Sequence, residues 1–211
     1  MTLIKLETNC PVDQEAVFRR LSITGDSLAC QSSRSALISL LENSAGLVES
    51  SCYYYLAPNI YRLPEPELAQ CEKLVLCFAT LGPKISAQIG LYFESRDYLE
   101  GYLLDHLGNE MLFSASEEMN RLIEAKVREQ GYNLTIPFSP GEGLLELEYQ
   151  ALFLDEMKRQ GEIPVSINDH YMLNPEKSIL YVFGADPNIP QCDIQHDCSR
   201  CTREKCYFRG K

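Results

Sequence analysis

Apolar residues recur at helical spacing in several stretches of the chain. The longest stretch covers residues 97–130, and Gly131 follows it at the position where a helix commonly ends. The positions predicted to face inward in this helix are Leu99, Leu103, Leu107, Met111, Met119, Leu122 and Val127. Shorter helical patterns cover residues 12–22, 33–50 and 144–160.

Continuous apolar and aromatic runs predict strands instead of helices. The predicted strands lie within residues 51–63, 72–82, 163–169 and 177–184. The second run ends at Gly82, and Pro83 comes next. Because the first position of a helix does not need a backbone N–H, Pro83 is expected to begin a further helix.

The order of these elements favours an α+β fold. Helices, strands, a long helix, a loop, a helix and strands follow one another without regular alternation, which argues against a doubly wound parallel sheet. We therefore expect an antiparallel sheet with packed helices over residues 1–184. Residues 185–211 are expected to form a separate part, in which the proline-rich stretch "ADPNIPQ" acts as a spacer before a cysteine-rich metal-binding tail.

Composition narrows the possible partners. The 211 residues are 45% hydrophobic, which suits one domain with a full core. The net charge is −11, so the protein repels a phosphate backbone and nucleic acid is not expected as a partner. No run of about 18 apolar residues and no signal-peptide pattern is present, so we expect a cytoplasmic protein that does not enter a membrane.

Four of the nine cysteines are concentrated near the end of the chain. The spacing C-x5-C-x2-C-x4-C is formed by Cys192, Cys198, Cys201 and Cys206. A compact run of this kind is typical of a loop that wraps an iron–sulfur cluster, here most simply [4Fe–4S]. Several Arg and Lys residues lie between and after these thiols, and nearby positive charge favours thiolates.

Two alternatives for the cysteine tail remain open from sequence. Structural zinc is one, although zinc sites usually use two close cysteine pairs about a dozen residues apart. Thiols that bind no metal, or that switch by oxidation, are the other. His196 lies in the same stretch and is interpreted as a solvated side chain. The five scattered cysteines are interpreted as packing residues, with Cys77 inside a buried apolar run.

Four short segments, in this order, resemble a known family. They read "CFATLGPKISAQI", "YLEGYLLDHLGNEM", "FSPGEG" followed by "LEYQALFLDEM", and "YMLNPEKSILYVFG". Together they resemble short bacterial proteins related to the activation domain of vitamin B12-dependent methionine synthase. The resemblance covers residues 70–184 and, more weakly, the N-terminal part.

The resemblance implies a fold, a ligand and a partner. That family has an α+β fold around an antiparallel sheet and binds S-adenosylmethionine. It meets a corrinoid-carrying domain and supports the reduction and methylation of oxidised cobalt. Its Pro-Gly loop contributes to the S-adenosylmethionine site, and the matching residues here are Ser139, Pro140 and Gly141. Lys177 in "NPEKS" is a second candidate, with a solvent-facing base as the alternative.

The loop departs from the family pattern at two positions. Pro137 stands where the family usually has Arg, and Glu142 stands where it has Tyr. Arg grips a carboxylate with two hydrogen bonds, whereas proline donates none. Glu142 repels a carboxylate but suits an amino group or a ribose hydroxyl. These departures predict weakened or altered binding of S-adenosylmethionine.

The cysteine tail and the family resemblance together suggest a function. Reduction of cobalt(II) in a corrinoid needs an electron at very low potential, and iron–sulfur clusters reach down to about −700 mV. The sequence therefore predicts an accessory protein for a corrinoid-dependent methyltransferase system, with the tail as its electron relay. The alternatives are a non-catalytic scaffold with a structural zinc tail, or a protein of a methyltransferase pathway that uses S-adenosylmethionine directly.

Overall fold

The computed structural model describes residues 2–192 and 194. Its helices are α1 (Gln14–Arg20), α2 (Leu28–Asn43), α3 (Pro66–Ala69), α4 (Pro83–Glu94), α5 (Tyr98–Arg128) and α6 (Tyr149–Lys158). Its strands are β1 (Ile4–Leu6), β2 (Ser51–Pro58), β3 (Lys73–Thr80), β4 (Asn133–Leu134), β5 (Ser166–Ile167), β6 (Leu173–Asn174) and β7 (Ser178–Asp186).

One sheet organises the molecule. Its five strands lie in the order β1-β2-β3-β7-β4, and every neighbouring pair is antiparallel. Strands β5 and β6 form a separate two-stranded hairpin. The helices pack against the large sheet, so the predicted α+β class with an antiparallel sheet is confirmed.

The two faces of the sheet bury two separate cores. Alternate residues of a strand point to opposite faces. In β3, Val75 and Cys77 pack with α5, whereas Leu74 and Leu76 pack with α6. All four side chains are fully buried, which explains why this strand is a continuous apolar run.

Local capping explains where several helices begin. Asp13 accepts a hydrogen bond from Ala16 N at 3.1 Å and so caps α1, which lies within the predicted range 12–22. Helix α4 begins at Pro83 as expected. Helix α2 begins earlier than predicted, because the Ser27 side chain accepts from Cys30 N. The predicted range also extended too far, because α2 ends at Asn43. Val48 lies beyond this end but still packs against the core.

The long helix α5 is confirmed, and Gly131 follows it with φ of +84°. Two of its predicted inward positions are wrong, since Leu99 and Leu122 are exposed. Gly108 allows close packing, because a Cβ there would lie 3.2 Å from Cδ1 of Ile85. No helix in the described part of the chain is both long and apolar enough to cross a membrane.

The predicted spacer begins inside the sheet. Ala185 is buried, and Asp186 accepts a hydrogen bond from Glu72 N at 3.0 Å. Asn133 then donates to Ile189 O at 2.8 Å. The first residues of this stretch are therefore held against the core, because β7 runs two residues past the expected boundary at 184.

Candidate functional site

The Pro-Gly turn is a hydrogen-bonded loop that begins beside β7. Phe138, just before it, pairs with Val182 of that strand. Within the turn, Gly141 N donates to Leu145 O at 2.7 Å, and Glu142 N donates to Ser139 O at 3.1 Å. The pairing of Phe138 with Val182 holds the start of the turn beside the sheet, and the internal hydrogen bonds close the turn.

A buried carboxylate fixes the far side of the turn. Glu65 is only 7% exposed, and its Oε1 accepts from Leu144 N at 2.6 Å. Gly143 lies against the same oxygen, with φ of +59°. Glu65 stands 79 residues before Leu144 in the chain, so no local sequence pattern indicated this contact.

These contacts correct the expected chemistry of the turn. If the turn led directly into the helix predicted at 144–160, its backbone N–H groups would be free to bind a ligand. Instead, the N–H groups of Gly141, Glu142 and Leu144 all have partners within the protein. Helix α6 begins only at Tyr149, several residues later. Ser139 and Glu142 are half-buried and Pro140 is buried, so a ligand here would meet side chains and carbonyls first.

Replacing Gly143 with alanine is expected to lower the free energy of unfolding by about 2 kcal/mol. The added Cβ meets Oε1 of Glu65 and forces a positive φ on a side-chain-bearing residue. Urea denaturation measures the loss. Gly131→Ala is a matched control, since Gly131 has φ of +84° and no atom within 4 Å of the added Cβ. Equal losses in both variants would contradict a role for Glu65.

Lys177 is buried against α5. It is only 7% exposed, and its Nζ donates to Asp105 Oδ1 at 2.7 Å and to Asn109 Oδ1 at 2.8 Å. Its stem lies over Gly108, where a Cβ would stand 3.2 Å from Lys177 Cε. The solvent-facing interpretation is therefore wrong. The two candidates for the ligand site therefore have different partners. Lys177 is bound to α5, whereas the Pro-Gly turn is held by Glu65.

Further polar groups surround the Lys177 network on α5. Arg20 forms an ion pair with the buried Glu110. His106 packs its ring edge-on to Tyr102 with 4.4 Å between centroids. Burial lowers the pKa of His106, and the nearby Lys177 charge acts in the same direction while Asp105 opposes it. This cluster was not predicted from sequence, although Asp105 and Asn109 stand one helical turn apart in α5.

The scattered cysteines are mostly packing residues. Cys77 is fully buried, and burial raises the pKa of its thiol well above the ordinary value. Cys71 donates to Glu67 O at 3.1 Å, and burial with nearby carboxylates raises its pKa to about 11. Such thiols stay protonated at neutral pH. Cys10 and Cys30 are only partly buried.

The base of the cysteine tail is anchored beside β4. Cys192 is half-buried, and its thiol lies 3.1 Å from Leu134 O, which accepts its hydrogen bond. Ile194 packs into the core shared with α5. Cys198, Cys201 and Cys206 lie outside the described residues. Among the residues that are described, no group of three or more His, Cys, Asp or Glu side chains is placed to hold a metal.

An open cleft of about 540 Å³ lies along the edge strand β1. Its lining is mostly polar and consists of Lys5, Leu6, Glu7, Thr8, Asn9 and Ser50. No predicted site residue in the described part of the chain lines this cleft. Strand β1 was not predicted, because three residues are too few for a recognisable hydrophobic pattern.

With the sheet and its helices in place, the backbone can be compared with solved structures. This is the fold of the MetH reactivation domain. The crystal structure of that domain bound to AdoHcy matches with a TM-score of 0.65, over 95% of this chain and 83% of that one. Sequence identity is 11%. No family model matches the sequence, and no curated protein matches it.

The comparison with the MetH reactivation domain confirms the expected fold. The match covers 95% of this chain and therefore includes its five-stranded antiparallel sheet with the packed helices. At 11% identity most side chains differ, so the ligand chemistry of this chain depends on its own residues.

Proposed function

We propose that this protein is an accessory factor of a corrinoid-dependent methyltransferase system. It would assist reductive activation of the corrinoid protein through a cluster bound by Cys192, Cys198, Cys201 and Cys206. The fold match to the MetH reactivation domain carries this proposal. The four-cysteine spacing supports the electron-transfer part of it.

The proposed cluster would provide one electron at low potential, which is the requirement for reducing cobalt(II) to cobalt(I). A reduced ferredoxin or flavoprotein of the cell would return that electron to the cluster. The chain's own contribution is to hold the tail in place. The Cys192 thiol would give up its hydrogen bond to Leu134 O when it loses its proton to bind the cluster. Ile194, two residues after Cys192, is buried in the core shared with α5 and would keep that ligand close to β4. One proposed ligand therefore stands on the rigid core.

The turn at 139–142 is the proposed site for an S-adenosylmethionine-like ligand. The solved MetH reactivation domain holds AdoHcy, which contains an amino group, a carboxylate and a ribose. In this chain Glu142 suits the amino group or a ribose hydroxyl, and the Ser139 hydroxyl can donate or accept. Pro137 has no N–H for the carboxylate, so we expect weaker binding than an Arg-containing loop provides.

Lys177 has a more indirect place in this proposal. Its ammonium group already bonds to Asp105 and Asn109. It would therefore influence the ligand by positioning α5 against the start of β7, with one remaining donor for direct contact.

Metal and sulfide analysis of anaerobically purified protein tests the proposal. We expect iron and acid-labile sulfide in equal amounts, at about four of each per chain for a [4Fe–4S] cluster. A broad visible absorption should bleach when dithionite is added. Zinc alone, with no visible absorption, would show that the tail is structural and would overturn the electron-relay function.

A further inference from the structure

The junction between α4 and α5 carries a concentration of exposed apolar side chains. This elbow patch consists of Leu91, Phe93, Tyr98, Leu99 and Tyr102. Each of the five is between 41% and 60% exposed. They fall within twelve consecutive positions, whereas exposed Leu28 and Ile60 stand in separate parts of the chain. A concentrated apolar surface of this kind marks an interaction site more often than isolated exposed residues do.

One ring contact and helical spacing connect Phe93, Tyr98, Leu99 and Tyr102 of the elbow patch. The rings of Phe93 and Tyr98 have centroids 6.3 Å apart. The Phe93 ring lies across α5, where a Cβ on Gly101 would stand 3.1 Å from it. Tyr98 and Tyr102 are one helical turn apart, and so are Leu99 and Tyr102, so these side chains are neighbours on the helix surface.

The backbone beneath the elbow patch is fixed by hydrogen bonds. Ser95 Oγ donates to Leu91 O at 2.8 Å and thereby closes the end of α4. Asp97 N donates to Tyr92 O at 2.8 Å and sets the angle at which α5 begins. The patch is therefore preformed, which reduces the entropy lost when a partner binds.

The charges around the elbow patch are mostly negative. Glu94, Asp97 and Glu100 alternate with its residues along the chain, and Arg96 is the one positive residue among them. The whole protein carries a net charge of −11. An anionic lipid surface would be repelled, and a second copy of the chain would bring the same acidic rim against this one. The complementary occupant is a protein surface with an apolar centre and a Lys- or Arg-rich rim.

We propose that the elbow patch docks the corrinoid-carrying partner, and that the partner presents apolar residues ringed by basic ones. This inference rests on the proposed function and adds a binding surface to it. Tyr102 contacts His106, which is next to Asp105 in the Lys177 network. The docking surface thus continues along α5 into the polar cluster that fixes this helix to β7.

The test measures affinity for a purified, cobalamin-loaded corrinoid methyltransferase protein by calorimetry. The variant Tyr98→Ser with Leu99→Ser is expected to weaken binding at least tenfold, because buried aromatic anchors dominate interface energetics. The double variant Glu94→Lys with Glu100→Lys should weaken the affinity and reduce its dependence on salt. Leu28→Ser with Ile60→Ser is the matched control, since it removes two exposed apolar residues elsewhere and should leave affinity unchanged.

Circular dichroism melting of every variant separates a lost surface from a lost fold. If the wild-type protein binds no corrinoid protein, the proposed function fails, and the docking inference fails with it. Equal affinity of the wild type and the folded Tyr98→Ser, Leu99→Ser variant would overturn the docking inference alone. A wild-type dimer that this variant dissociates, or patch-dependent binding to vesicles of anionic lipid, would also overturn it.

Discussion

Replacing Cys198 and Cys201 together with serine is expected to remove all bound iron and sulfide. The two residues form the close C-x2-C pair of the tail. A serine hydroxyl is a harder and much less acidic ligand than a thiol, so it does not replace thiolate on iron. Without the cluster the protein lacks its proposed low-potential electron, and reactivation of oxidised corrinoid protein should fall to the background rate.

The experiment compares iron content and reactivation rate in matched preparations. Cys30→Ser is the control, since Cys30 is a partly buried thiol in α2, outside the tail. It should keep the iron content and the reactivation rate of the wild-type protein. If the Cys198→Ser, Cys201→Ser variant lacks iron but reactivates the corrinoid protein at the wild-type rate, the tail is not the relay.

Elements with a clear hydrophobic pattern over neighbouring residues were predicted well from the sequence. Helix α5 follows from repeated apolar positions and from Gly131 at its end. Strand β3 follows from a run that is apolar because both of its faces are buried. Edge strand β1 was missed because it has three residues and only one of them is buried.

The candidate site was less predictable because its contacts join distant parts of the chain. Glu65 meets Leu144 across 79 residues, and Lys177 meets Asp105 across 72. A motif such as "SPGEG" indicates a turn, but it does not reveal which backbone N–H groups the rest of the fold has already paired. The N–H groups expected to bind a ligand were therefore occupied by protein acceptors.

Helix α5 separates the two proposed interaction regions, the elbow patch and the cysteine tail. The elbow patch lies at its first turn, and Cys192 bonds to Leu134, six residues after the helix ends. A helix of 31 residues is about 46 Å long. A partner that reaches both regions must therefore extend along the whole helix. A folded domain is large enough for this, whereas a short peptide is not.

Replacing Lys177 with methionine is expected to lower the free energy of unfolding by about 2–3 kcal/mol. The change removes two charge-assisted hydrogen bonds from Lys177, which directly precedes β7, to α5, and it keeps most of the side-chain volume. The loss is smaller than for a fully buried pair, because the Asp105 side chain is 43% exposed and regains water. Urea denaturation at neutral pH measures the difference.

Lys84→Met is the matched control for Lys177→Met. Lys84 pairs with Glu49 at 2.7 Å, but both side chains are about half exposed, so its loss should cost less than about 1 kcal/mol. Adding Asp105→Asn to Lys177→Met should recover part of the lost stability, since it removes the carboxylate left without its cation. If Lys177→Met costs no more than Lys84→Met, the buried network does not hold α5 to the sheet. The position of the elbow patch would then depend on apolar packing alone.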